Sequence, residues 1–315
     1  MIDFFDKCYT LIQNRNKIFT SFRIYSILRF SLRVIANFLL PLYFILTQSK
    51  EKYSLKPGPN SGNRVIVSLT SFPTRIKRVW LVIESLMRQT QKPDKIILWL
   101  SKEQFPSLKK LPKNLLELQN RGLEIRLCDQ DLRSHKKYYY VIQEFPEDII
   151  ITVDDDVFYH SELIEKLVSL HVKFPNCVCA NSCSEILISD KQIQPYVLWK
   201  QYTIAENPDN KVFPIGMGGI LYPPKVLNPE VLNSKVFLNI CPLADDLWLY
   251  AMTKLENNKA VKTSYNSIYL PVMNFKNISL STANTIQGFN DKQLVSIRKY
   301  CIETIGKDPF AGIIA

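Results

Sequence analysis

The chain has 315 residues, 46% of them apolar, and carries 40 Lys and Arg against 29 Asp and Glu, for a formal charge of +11. Such a composition excludes a disordered chain and leaves room for one large α/β domain or two smaller ones. The positive excess favours an anionic partner, which could be nucleic acid, an acidic membrane surface or a phosphorylated small molecule. Seven scattered cysteines in mostly apolar surroundings read as reduced thiols and predict a cytosolic setting. The cluster Cys177, Cys179 and Cys183 lacks the paired spacing of a zinc site.

Residues 1–50 form a distinct basic and apolar segment, with Lys7, Arg15, Lys17, Arg23, Arg29 and Arg33 against Asp3 and Asp6. The apolar run Val34 to Thr47 starts too late for a cleaved signal peptide. As a helix those fourteen residues would reach about 21 Å, short of a hydrocarbon core of about 30 Å, and Pro41 interrupts them. The expectation is a helix lying on an anionic membrane surface, with docking on the rest of the chain as the plain alternative and a single membrane span as a third. Residues 51–63, rich in Pro, Gly, Ser and Asn, read as a linker to a domain over 64–315.

From Arg64 the pattern alternates. Strands are predicted over Arg64 to Ser71, Asp94 to Ser101 and Leu123 to Asp129, with helices over Arg75 to Thr90, near Leu111 to Asn120 and near Lys137 to Glu144. Crossovers this short predict an α/β fold with parallel strands whose ligands lie beyond the strands' carboxyl ends. One such end carries Asp154, Asp155 and Asp156 in "ITVDDDVFY". Three adjacent carboxylates repel one another and resist leaving water, so they require a counter-cation. The residues that follow lack the glycine and glutamate of an EF-hand loop. Near the C-terminus, Phe289 to Ile305 predicts a packing helix capped by Asn290.

Four segments in order resemble the family 2-like glycosyltransferases. Ser85, Leu86, Gln89 and Thr90 match that family's Ser-Leu-x-x-Gln-Thr helix end, and the aspartate triplet is similar to its Asp-x-Asp motif. Gly216, Gly218 and Gly219 in "GMGGILYPP" resemble the acceptor-side glycine segment, and "ADDLWL", with Asp245, Asp246 and Trp248, the Glu-Asp region. The resemblance covers roughly residues 64–260 and is of the kind seen among surface-polysaccharide enzymes. It implies a GT-A-like α/β/α sandwich with a mostly parallel sheet and an inverting sugar transfer from a nucleotide-sugar donor to a saccharide or lipid-linked acceptor, with no nucleic acid involved. Asp156 would be the main ligand of Mn²⁺ or Mg²⁺, Asp154 would face the ribose or a metal-bound water, and Trp248 would sit on the acceptor side.

The chemistry gives an independent reason for the same residues. A divalent cation bridging two phosphates stabilises a departing diphosphate, and hard cations of this kind prefer carboxylate oxygens. A base on the acceptor side must take a hydroxyl proton, and Asp245 and Asp246 are the candidates, with a helix N-cap as the competing role; the resemblance puts Asp246 first, as the match to the Asp of the family's Glu-Asp pair. The resemblance places Arg133, Lys136 and Lys137 near the donor, where a lysine would neutralise diphosphate, with an exposed helix start as the alternative, and Asp129 and Asp155 are expected there too. Two other classes stay open: a nucleotidyltransferase, although "TSFPTRIKR" has no glycine to cradle a triphosphate, and a catalytically silent membrane adaptor.

Overall fold

The computed structural model describes residues 1–12, 24–48, 62–265, 269–273 and 288–314. Most of the expected linker and the basic residues Arg15, Lys17 and Arg23 lie outside the described residues. A seven-stranded sheet organises the rest. Its strands are β1 (Val65–Thr70), β2 (Lys95–Ser101), β3 (Leu123–Cys128), β4 (Ile149–Thr152), β6 (Val178–Ala180), β12 (Ile220–Tyr222) and β13 (Ala260–Lys262), in the spatial order β13-β6-β12-β4-β1-β2-β3. The intervening strands β5 (Val157–Phe158), β7 (Cys183–Glu185), β8 (Ile188–Ser189), β9 (Gln192–Ile193), β10 (Lys200–Gln201), β11 (Val212–Pro214) and the later β14 (Leu270–Pro271) pair in small sheets outside it.

All neighbouring pairs are parallel except those of β12, which runs against both β4 and β6. The mostly parallel α/β sheet expected from the sequence is therefore present, together with N-terminal helix. Because side chains alternate across a strand, the two faces take different residues. Val65, Val67, Leu69, Ile149 and Ile151 pack in one core with helices Val79–Met87 and Leu163–Lys173. Ile66, Ile97, Trp99 and Ile150 face the helix Lys136–Glu144 through Val141 and Phe145. Helices thus cover both faces, making three layers.

The reversed direction of β12 positions the site. Ile220, its first residue, pairs with Thr152, the last of β4. The segment Gly216–Gly219 that leads into β12 is consequently set beside the segment Asp154–Asp156 that leaves β4.

The N-terminal region departs from expectation. A single helix of 23 residues, Ile24–Leu46, runs through Pro41 and is about 35 Å long at 1.5 Å per residue. Tertiary contacts outweigh the proline's loss of a hydrogen bond: Ala36, Leu40 and Phe44 are wholly buried in the main core. The Asn37 carboxamide donates to Pro271 O and accepts from Met273 N–H, both at about 2.8–2.9 Å. A shorter helix, Ile2–Leu11, buries Ile2, Phe5 and Tyr9 in the same core, and Asp3 accepts from the backbone and hydroxyl of Ser161. At the other end, Gly288 at φ +68° caps the helix Phe289–Tyr300, so Asn290 lies inside that helix rather than capping it.

Candidate functional site

The Ser-Leu-x-x-Gln-Thr residues have a definite task. Ser85 Oγ accepts from Tyr159 N–H at 3.2 Å, Gln89 Nε2 donates to His160 O at 2.7 Å, and Gln89 Oε1 accepts from Ile164 N–H at 3.1 Å. Thr90 N–H donates to Ser161 O at 2.8 Å. These polar groups are the partners of a buried stretch of backbone just beyond the aspartate triplet, which they hold in place. Tyr159 turns back on the triplet, and its hydroxyl accepts from Asp154 N–H at 2.8 Å.

Each aspartate of the triplet meets a different environment. Asp155 is buried: one oxygen accepts from Ser71 Oγ at 2.6 Å and the other from Arg75 at 2.7 Å. The guanidinium also reaches Asp156 Oδ2 at 2.9 Å, so Arg75 bridges two carboxylates. A turn over Phe72-Pro73-Thr74-Arg75, closed by Arg75 N–H to Phe72 O at 2.9 Å, brings it there from the end of β1. That turn explains why the helix predicted from Arg75 begins at Val79. Asp156 and Asp154 keep 36% and 32% side-chain exposure, and Asp154 Oδ1 accepts from Lys137 Nζ at 2.8 Å. Burial and the neighbouring Asp154 charge push the Asp156 carboxyl up to about 6, against the opposing pull of Arg75.

Lys137 links the triplet to the second acidic pair. Its side chain is 4% exposed, and Nζ lies 2.8 Å from both Asp154 Oδ1 and Asp245 Oδ2. Burial opposes its charge, but three nearby carboxylates hold its proton well above the usual lysine range. Asp245 and Asp246 open the helix Asp245–Leu255 behind the N-cap Ala244, so neither is the cap, and both sit where the helix dipole favours anions. Asp245 is held below its usual value despite burial, with Lys137 beside it as the main cause. Asp246 goes the other way, up to about 7, through burial and the charge of Asp245. Asp246 Oδ2 accepts from Gly216 N–H at 2.8 Å, while Oδ1 is enclosed without a hydrogen-bond partner among the described residues.

The glycines are required by space. A Cβ on Gly216 would stand 2.8 Å from Asp246 Oδ1 and 3.1 Å from Lys137 Nζ, and one on Gly218 only 2.5 Å from Ser182 Cβ. Gly219 has φ +81°, which L side chains rarely adopt.

Of the residues predicted for the site, Asp154, Asp155, Asp156, Lys137, Gly216, Asp245 and Asp246 converge. Four do otherwise. Lys136 is buried and ion-paired with Asp131, because at the helix start it points away from its neighbour Lys137. Asp129, at the end of β3, is exposed and paired with Lys102. Asp155 is engaged by Ser71 and Arg75, so it supports the triplet rather than facing a ligand. Trp248 is wholly buried, donates to Val231 O at 3.2 Å and packs against Phe237, so it belongs to the core and not to an acceptor surface. The predictions missed Ser71, Arg75 and Tyr159. They also missed His135, whose ring is buried near Asp245, between the Tyr138 hydroxyl and Cys241 O at 2.8 Å each, and held down at about 4 by burial. The basic residue after "SFP" was the available signal for Arg75.

No group of three or more His, Cys, Asp or Glu side chains suited to a metal is present among the described residues. Asp154 and Asp156 nevertheless fit a hard divalent cation that completes its shell from phosphate and water: both side chains are partly exposed, at 32% and 36%, at the end of a strand.

No protein-family profile matches the chain, and no curated protein matches it. Solved structures do. A mannosyltransferase from Pyrobaculum calidifontis in complex with GDP-Man and Mn²⁺ is 13% identical at a TM-score of 0.49, covering 90% of this chain and 77% of that one. A UTP-bound UGPase from Acinetobacter baumannii is 10% identical at 0.39, covering 76% and 94%. A 2-C-methyl-D-erythritol 4-phosphate cytidylyltransferase from Francisella tularensis is 11% identical at 0.39, covering 74% and 100%.

Proposed function

We propose that the chain is a metal-dependent glycosyltransferase that uses a nucleoside-diphosphate sugar. The observation that carries this reading is the division of five carboxylates by Lys137: Asp154 and Asp156 lie partly exposed at a strand end, whereas Asp246 keeps an unpartnered oxygen and a carboxyl pushed up to about 7. The first pair suits a Mg²⁺ or Mn²⁺ ion, which when bound would neutralise charge on a departing diphosphate. Asp246 suits the acceptor. Gly216 fixes one of its oxygens, leaving the other to take the acceptor's hydroxyl proton as the acceptor oxygen attacks the anomeric carbon and the bond from that carbon to the diphosphate breaks. Lys137 stays protonated between the two halves and keeps both anionic groups in place.

Nucleotidyl transfer from a triphosphate to a sugar phosphate uses similar groups and releases a different product. The test is therefore product analysis. With Mn²⁺ and a panel of nucleotide sugars, release of nucleoside diphosphate dependent on a saccharide or lipid-linked acceptor supports the proposal. Pyrophosphate release from nucleoside triphosphate and a sugar 1-phosphate would replace it with the nucleotidyltransferase reading.

We also place the protein at the cytoplasmic face of an anionic membrane. The helix Ile24–Leu46 buries one face in the core and leaves Ile27, Leu28, Phe30, Ile35, Phe38 and Ile45 exposed on the other. By length and mean hydropathy of 1.5 it could cross a membrane, yet its ties to Pro271 and Met273 favour a helix lying in the interface with the domain above it. The chain's formal charge of +11 is complementary to acidic lipid.

A further inference from the structure

Arg75 has two partners of unequal standing. Its bond to Asp155 is made in the interior, to a carboxylate 6% exposed that is also fixed by Ser71. Its second contact, Nη2 to Asp156 Oδ2 at 2.9 Å, ends on a carboxylate 36% exposed that is the main candidate to hold a divalent cation. The guanidinium is 15% exposed and lies over the Phe72 ring at 5.1 Å, so the turn and the ring keep it close to both carboxylates. A cation that takes Asp156 meets a positive group already there, and two cations sharing one carboxylate repel.

We infer that Arg75 is a positioning residue that makes metal binding depend on the nucleotide. It pivots on Asp155 and exchanges Asp156 for a diphosphate oxygen, which leaves Asp156 to the metal. A guanidinium suits this exchange because its planar fork can hold one carboxylate with one nitrogen while presenting another to phosphate. Metal and diphosphate then favour each other, and by linkage each raises the other's affinity by the same factor. The inference rests on the reading of Asp154 and Asp156 as the diphosphate and metal side.

The test measures binding, not turnover. Mn²⁺ affinity is read from the free-ion electron paramagnetic resonance signal for the parent and for Arg75→Gln, each alone and with UDP or GDP. The parent is expected to bind Mn²⁺ weakly alone and more tightly with one of the nucleotides. Arg75→Gln is expected to bind Mn²⁺ alone on the order of tenfold more tightly than the parent, with the nucleotide's enhancement reduced by a similar factor. Arg75→Lys keeps a cation for buried Asp155 but cannot offer separate forked donors to two carboxylates, so it serves if the glutamine variant does not fold; its Mn²⁺ affinity should also rise. Unchanged or weaker Mn²⁺ binding in the folded variants, with the parent's enhancement intact, would overturn the role of Arg75. A parent that binds no Mn²⁺ with either nucleotide would overturn both this inference and the metal-dependent reading beneath it.

Discussion

The Gly216 N–H donates to Asp246 Oδ2 at 2.8 Å, and a Cβ on Gly216 would come equally close to the other oxygen of that carboxylate. Gly216→Ala must therefore displace Asp246, whose side chain can swing away, at a cost of about 1–3 kcal/mol. A misplaced base is expected to lower turnover by about 10²-fold. Gly218→Ala is different, because its Cβ would meet Ser182 N at 2.7 Å, and backbone cannot swing. The expected pattern is a larger loss of stability for Gly218→Ala and a larger loss of activity per unit of stability for Gly216→Ala, measured by urea denaturation and by product release. Full turnover in Gly216→Ala would remove Asp246 from the mechanism.

The raised carboxyl of Asp246 has a sign that can be checked. A carboxylate titrates near 3.9 in an unfolded chain, and in the fold this one titrates at about 7, so between those values the native state holds more protons. The group therefore costs stability as pH rises from about 4 to about 7. Asp246→Asn removes that cost: its thermal midpoint should exceed the parent's at pH 8 and match it at pH 4. Turnover should instead fall by two to four powers of ten, about the contribution of a general base, and the parent's own rate should decline below pH of about 7. An Asn variant with parental turnover would sink the assignment, and the N-cap role cannot then rescue it because Ala244 occupies that position.

Lys137 serves two carboxylates from the interior. Lys137→Met leaves the buried Asp245 without its cation and is expected to lower unfolding free energy by about 3–5 kcal/mol at pH 7. Asp245 sits below its usual value, so its contribution is present above about pH 4 and fades as pH falls through its folded value. The gap between parent and variant should narrow under acid. Urea midpoints at pH 7 and pH 3.5 check this, and a gap constant with pH would mean the lysine acts through packing alone.

Much of this site was legible because charged residues at the end of an apolar strand have few structural uses. The triplet after "IIITV" stands at the end of a strand pattern and the pair opening "DDLWLY" at the start of a helix, and the fold brings them together through Lys137. What the sequence did not show is which charges neutralise which. Lys136 and Lys137 are chemically equal neighbours, and only the helix phase sends one to Asp131 and the other to Asp154. Arg75 looked like the first residue of a helix, because periodicity does not reveal a turn that detours through another strand's end. Trp248 was drawn to the site by the two aspartates before it, yet three residues along a helix its ring faces the interior. Pro41 misled in the opposite direction, since a proline is read as a break unless the packing that compensates for it is known.

The helix Ile24–Leu46 offers a test in which its two faces should respond oppositely. Phe38 and Leu42 are 69% and 46% exposed, whereas Leu40 is wholly buried. The double variant Phe38→Glu with Leu42→Glu should fold with parental stability, since exposed substitutions change it by only about 0.5 kcal/mol. Its binding to vesicles containing acidic phospholipid should fall by about 10²-fold or more, from lost apolar insertion and added repulsion. Leu40→Ala should do the reverse, losing about 2–5 kcal/mol of stability with little direct effect on lipid binding by the folded fraction. Removing residues 1–48 would also strip Ile2, Phe5, Leu40 and Phe44 from the main core, so the remainder should be markedly less stable rather than a clean soluble domain. Vesicle co-sedimentation and thermal melts measure both quantities. Undiminished co-sedimentation of the double glutamate variant would show that the exposed face does not meet lipid, and loss of a concentration-dependent dimer in that variant would assign the face to a second copy of the chain instead.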